Sequence, residues 1–169
     1  MDVLVDESQF QQDLNREDEL GRVIRAHLHI ENLVKQLLAL EFEKPAALER
    51  VKLDFSDRVT LLEAYGYGQM LTRPLSALGT LRNAFAHNLS SALTEDRMQS
   101  LYKSFDAAGK EIIQGSYQRT RLKSEAKVPR TLGKVPPAER FVFFAISIRA
   151  MLVIAHKERV AFASKGAAS

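Results

Sequence analysis

The chain has 169 residues, 46% of them hydrophobic and 27% charged, with 24 Lys and Arg against 21 Asp and Glu for a net charge of +3. That length and composition suit one soluble globular domain with a real core, spanning residues 1–169. The absence of cysteine excludes a disulfide framework, a thiolate metal site and a cysteine nucleophile, and a reducing cytoplasm suits such a chain.

The first residues, Met1 to Glu7, carry no basic segment leading into an apolar one, so no secretory signal is expected. Residues 1–20 form an acidic segment, with Asp2, Asp6, Glu7, Asp13, Glu17, Asp18 and Glu19 against only Arg16. Such a segment could cover a basic surface on its own or another copy, or simply face solvent. From Phe10 to Leu40 apolar residues recur at helical spacing, which predicts a long amphipathic helix to about Phe42, with a break near Asn15-Arg16 and a stop at Pro45. His27 and Glu31, four apart on that helix, could share a metal, but two ligands without a third read as a polar edge.

A short helical piece is expected at Ala46–Leu53. Ser56 is the predicted N-cap of a helix over Asp57–Tyr65, with Val59, Leu61, Leu62 and Tyr65 inward and Gly66 as its stop. Thr72-Arg73-Pro74 reads as the start of the next helix, on which Leu75, Leu78, Leu81 and Phe85 form one stripe. Thr94 opens another, whose period runs through Met98, Leu101, Tyr102, Phe105, Ile112 and Ile113.

Residues 115–135 show no sustained pattern and read as a basic loop that could contact phosphates through Arg119, Arg121, Lys123, Lys127, Arg130 and Lys134. Pro136-Pro137 opens the last helix. Its core, Phe141 to Ala155, is apolar nearly all round, too short for a membrane span and interrupted by Arg149. It belongs at the centre of a bundle or in a subunit interface. The expected fold is therefore all-α, a helical bundle of five to six helices. No membrane partner is expected.

The stretch that departs from this regular pattern is Leu81-Arg82-Asn83-Ala84-Phe85-Ala86-His87-Asn88, where a cation, an amide and an imidazole sit in the last turn of an apolar helix. Asn83 and His87 are four apart and share a face, whereas Arg82 and His87 are five apart, roughly 140° round the axis. One helix cannot easily aim both at one small target. Either the helix unwinds near His87, or a second copy supplies the other half of a site. A purely structural reading stands beside this: histidine is favoured in a last helical turn, and Asn88 can turn the chain out.

The run from Phe55 to His87, with its capped helix, the Gly66 stop and then Leu81-Arg82-Asn83-Ala84-Phe85-Ala86-His87, resembles the HEPN superfamily, in particular its mannitol-operon-repressor-like branch. The resemblance implies a dimeric helical bundle acting as a metal-independent endoribonuclease without cofactor, of the toxin or antiphage-defence kind, with RNA as substrate and an antitoxin or regulatory protein as partner. It assigns catalysis to Arg82 and His87 with help from Asn83. Toxin-type members often carry a tyrosine two residues after the histidine, where this chain has Leu89. The same branch implies a second class of function, a non-enzymatic regulatory or interaction module. Direct DNA binding is less supported, because no helix-turn-helix with a basic recognition helix is visible.

Overall fold

A computed structural model describes residues 7–88, 90–124 and 129–166, so Asp2, Asp6, Leu89 and Lys127 lie outside the described residues. Every regular element described is helical, in the order α1 (Glu7–Asn15), α2 (Glu19–Ala39), a 3-10 turn (Pro45–Arg50), α3 (Phe55–Ala64), α4 (Gln69–His87), α5 (Glu95–Ser104), α6 (Ala107–Lys123), a second 3-10 turn (Leu132–Lys134) and α7 (Pro137–Gly166). The all-α expectation holds, and the break expected near Asn15-Arg16 separates α1 from α2; the helix expected from Thr94 through Ile113 also divides, into α5 and α6, so the described residues hold seven α-helices rather than five to six. Local capping makes both breaks. Asp18 accepts from the Gly21 N–H to start α2, and Asp106 accepts from the Gly109 N–H at 2.8 Å to start α6 after Phe105 has turned extended.

The acidic first segment is largely consumed in such local work. Besides the Asp18 cap, Glu17 accepts from Arg25 Nε at 2.8 Å and Glu19 from the Leu93 N–H at 2.7 Å. The latter bond ties the start of α2 to the loop that follows α4.

α7 is the centre of the bundle, packing against α1, α2, α4, α5 and α6. Residues 141–149 are all buried, Arg149 among them, and Phe144 lies 5.8 Å from the Tyr102 ring and 6.1 Å from the Phe105 ring. Past Leu152 the helix leaves the core, with Ile154, Val160 and Phe162 exposed. Among the described residues no helix is long and apolar enough to cross a membrane.

Several predicted boundaries move, each for a physical reason. α2 ends at Ala39 rather than near Phe42, before Pro45 can act, and the piece after it is a 3-10 turn. The cap of α3 is Asp54, not Ser56: Asp54 accepts from the Asp57 N–H at 2.8 Å while Asp57 accepts from the Asp54 N–H at 3.0 Å, a reciprocal capping box that Ser56 cannot complete. Val59 and Leu62 are buried as expected, Leu61 is partly buried, and Tyr65 is exposed.

Gly66 stops α3 at φ +98°, a left-handed conformation open to glycine. Tyr67 N–H then bonds the Leu62 carbonyl and Gly66 N–H the Glu63 carbonyl, so the last carbonyls are satisfied.

α4 starts at Gln69, five residues ahead of Pro74, so the proline lies inside the helix and Thr72 is a buried helical residue rather than a cap. Burial of Leu71, Thr72, Pro74 and Leu75 on one face outweighs the hydrogen bond that proline cannot donate. The stripe of Leu75, Leu78, Leu81 and Phe85 is buried as predicted. The stretch expected to be a basic loop from residue 115 is helical as far as Lys123, because Gly109, Ile113 and Tyr117 give α6 a buried edge. Tyr117 also donates to the Pro129 carbonyl and meets Phe143 edge-on.

Candidate functional site

On α4 the buried stripe fixes where the polar residues go. Arg82 lies beside the stripe and is half-buried, whereas Asn83 and His87 lie further round and are exposed. Arg82 Nη1 donates to Asn83 Oδ1 at 3.0 Å, so the guanidinium is folded back toward the face that Asn83 shares with His87. This leaves the Asn83 amide N–H groups to donate outward.

The end of α4 is closed without His87. Asn88 turns extended and its side chain accepts from the Ser90 N–H at 2.9 Å, while the Ser91 hydroxyl donates to the Ala84 carbonyl at 2.9 Å. Asn88 therefore turns the chain out, as the structural reading expects, and the carbonyl of Ala84 in the last turn is met by Ser91. The imidazole stays exposed in the last turn.

Arg82 and Asn83 line a mostly polar cleft of about 470 Å³ between α2, α4 and the start of α3; His87 is not part of its lining. Across the cleft stands His27, a residue the sequence suggested only as a polar edge. It is 2% exposed, its ring lies 4.4 Å from that of Phe55, and its Nδ1 has no hydrogen-bond partner, the nearest carboxylate oxygen of Glu31 being 4.0 Å away. The other oxygen of Glu31, Oε1, meets Arg58 at 3.0 Å and Lys35 at 3.3 Å, so Oε2 is the one turned toward His27. Among the described residues no group of three or more His, Cys, Asp or Glu is placed to hold a metal.

Burial, and then the Arg82 guanidinium, hold the His27 imidazole below its ordinary value of 6.5, with Glu31 opposing and Lys35 adding to the depression. His29 is also depressed, by burial and by Arg149, with Asp13 opposing. Both histidines thus take a proton more readily in the unfolded chain than in the folded one. Their contribution to stability is complete above about pH 6.5 and is lost as the pH falls from there through the folded values. The urea midpoint should therefore drop between about pH 7.5 and pH 5.5, and the drop should shrink in a His27→Gln, His29→Gln double variant. A midpoint flat over that range would contradict this linkage.

Two of the predicted basic residues share a groove. Arg119 and Lys123, four apart on α6, line a groove of about 420 Å³ together with Glu7 and Gln11 of α1, so the acidic segment does face part of the basic stretch. Arg121 donates to Gln118 at 3.1 Å, Arg130 is in the loop after α6, and Lys134 is on the second 3-10 turn. Comparison with protein-family models, with curated proteins and with solved structures finds no match.

Proposed function

We propose that the chain is an endoribonuclease of HEPN type that cleaves RNA at a site assembled from two copies. The observation that carries this reading is the disposition of the α4 trio: Arg82 is held by Asn83 at the rim of a polar cleft, while His87 is left exposed because Asn88 and Ser91 close the helix. RNA supplies its own nucleophile. The 2′-oxygen attacks the adjacent phosphorus, the bond to the 5′-oxygen breaks, and the ends are a cyclic phosphate and a 5′-hydroxyl. Such a reaction needs a group that moves protons and a cation that neutralises the crowded phosphate. His87 fills the first role and Arg82 the second, with Asn83 orienting the guanidinium through the 3.0 Å bond.

Because the positions of Arg82 and His87 lie roughly 140° apart round α4, a two-fold pairing of α4 ends brings the arginine of one copy toward the histidine of the other. Arg119 and Lys123 on α6, with Arg130 and Lys134 beyond it, would then guide the RNA backbone.

The test is induced expression of the wild-type chain beside His87→Ala and Arg82→Ala, with growth followed and total RNA mapped for new ends. Growth arrest with cleavage that both substitutions reduce by about a hundredfold or more is the expected result. Intact RNA and normal growth with all three chains soluble and folded would favour the regulatory module instead.

A further inference from the structure

α7 outruns the bundle that it centres. Its 30 residues rise about 45 Å, and since full burial ends at Leu152, the stretch from Val153 to Gly166 extends it by roughly 21 Å. So short a helical stretch draws its stability from a packed face rather than from its own hydrogen bonds. Yet apolar side chains stand exposed on two sides of this tail. Ile154 and Phe162 lie on the side of Met151, Phe162 being 72% exposed, and Val160 is roughly 160° round from Phe162.

Beside the tail runs a groove of about 600 Å³. Buried Leu71 and Met151 line it, with exposed Tyr65 and Met70 on the side of the α3–α4 connection and Ile154 and Phe162 on the side of α7. Most of its polar groups are satisfied within the chain: Arg159 Nε donates to Glu41 at 2.8 Å and the Tyr67 hydroxyl to the same carboxylate at 2.6 Å. What is left open is largely apolar, with Glu158 at its edge.

Two observations say what covers it. The first is shape. One patch carries both a projecting ring, Phe162, and the recess beside it, and a patch that holds both halves of a contact pairs with its own copy about a two-fold axis. The second is charge. The tail carries Lys157, Arg159 and Lys165 against Glu158, whereas the chain around the Phe42 and Tyr65 rings, which meet edge-on at 5.1 Å, carries Glu41, Glu43 and Glu63 against Lys44. A second copy turned over lays each basic tail on the other's acidic side. A helix of this length bedded to half its girth, with the groove wall it meets, covers roughly 700 Å² per copy, close to the 800 Å² or so of a specific interface.

We propose that the exposed end of α7 and the groove beside it form a two-fold interface between two copies of the chain. This contact differs from a pairing of α4 ends. The groove adjoins the first residues of α4, and His87 ends that helix, roughly 28 Å away along its axis. The α7 contact stands whether or not the chain cleaves RNA. Two unlike two-fold contacts on one chain would build a tetramer or an open row.

The full chain is sedimented from about 1 to about 100 µM. Phe162→Glu alters the projecting ring and Met70→Glu the opposite wall, the latter in the first turn of α4, where an acid suits the helix dipole. Both positions are exposed, and circular dichroism establishes that both variants are folded. Wild type should associate, and each variant should halve the mass of the assembly, weakening association about thirtyfold or more. Ala86→Arg, at an exposed position near the end of α4, separates the two contacts. If α4 ends pair as well, Phe162→Glu is a dimer that Ala86→Arg dissociates; if they do not, Phe162→Glu is already a monomer. A wild-type chain that stays monomeric at about 100 µM would overturn the interface and leave the groove to a different protein. An assembly whose mass neither Phe162→Glu nor Met70→Glu changes would overturn it too, while leaving the pairing of α4 ends intact.

Discussion

Mixing Arg82→Ala and His87→Ala chains should restore RNA cleavage that neither chain performs alone. The expectation follows from helix geometry. Five residues of α4 separate the two positions by roughly 140°, and Arg82 bonds its neighbour Asn83. If each scissile phosphate is worked on by an arginine from one copy and a histidine from the other, each single variant removes one essential group from every site. Activity then falls about a hundredfold or more. A mixed dimer keeps one intact arginine, on the His87→Ala chain, and one intact histidine, on the Arg82→Ala chain, and those two can meet across the two-fold axis.

The measurement is cleavage of a labelled RNA by the two purified variants, separately and after they are unfolded and refolded together. Recovery well above either parent supports the shared site. If wild type cleaves and the mixture stays as inactive as its parents, although mixed dimers are shown by mass spectrometry, arginine and histidine act within one chain. The two-copy site would then be wrong.

The largest effect on stability is expected at Phe144. Its ring is 1% exposed at the middle of the central helix and faces Tyr102 and Phe105, whose rings belong to α5 and the turn into α6. Phe144→Ala therefore opens a cavity where α7 meets that corner. The expected cost is about 3–5 kcal/mol, a large fraction of the total for a domain of this size. Urea unfolding should show the midpoint falling with the slope preserved. A loss below about 1 kcal/mol would mean that this corner of the core is far looser than the ring distances indicate.

Much of the architecture is legible in the sequence because it is local. The period of α2, the Thr94 cap, the Gly66 stop and the unbroken burial of residues 141–149 all follow from side chains within a few residues of one another. Where the reading errs, a weak local signal competes with a tertiary one. Thr72-Arg73-Pro74 has the composition of a helix start, but burial of Leu71 and Thr72 carries α4 back to Gln69. The basic stretch after Gly115 is too polar to show a period, yet the three anchors Gly109, Ile113 and Tyr117 suffice to extend α6 to Lys123.

The candidate site divides along the same line. That Arg82, Asn83 and His87 sit at the end of one helix, and that arginine and histidine diverge round it, the sequence by itself determines, because both statements depend only on helical spacing. That Arg82 bonds Asn83, that Ser91 rather than His87 closes the helix, and above all that His27 stands across a cleft from Arg82, only the tertiary structure decides. His27 and Arg82 lie on α2 and α4, and α3 comes between them in the chain. No periodicity or motif connects residues so far apart. They come to one cleft because the apolar stripes of α2, α3 and α4 are buried against one another, and packing of those stripes sets which polar residues are left facing each other at the edge.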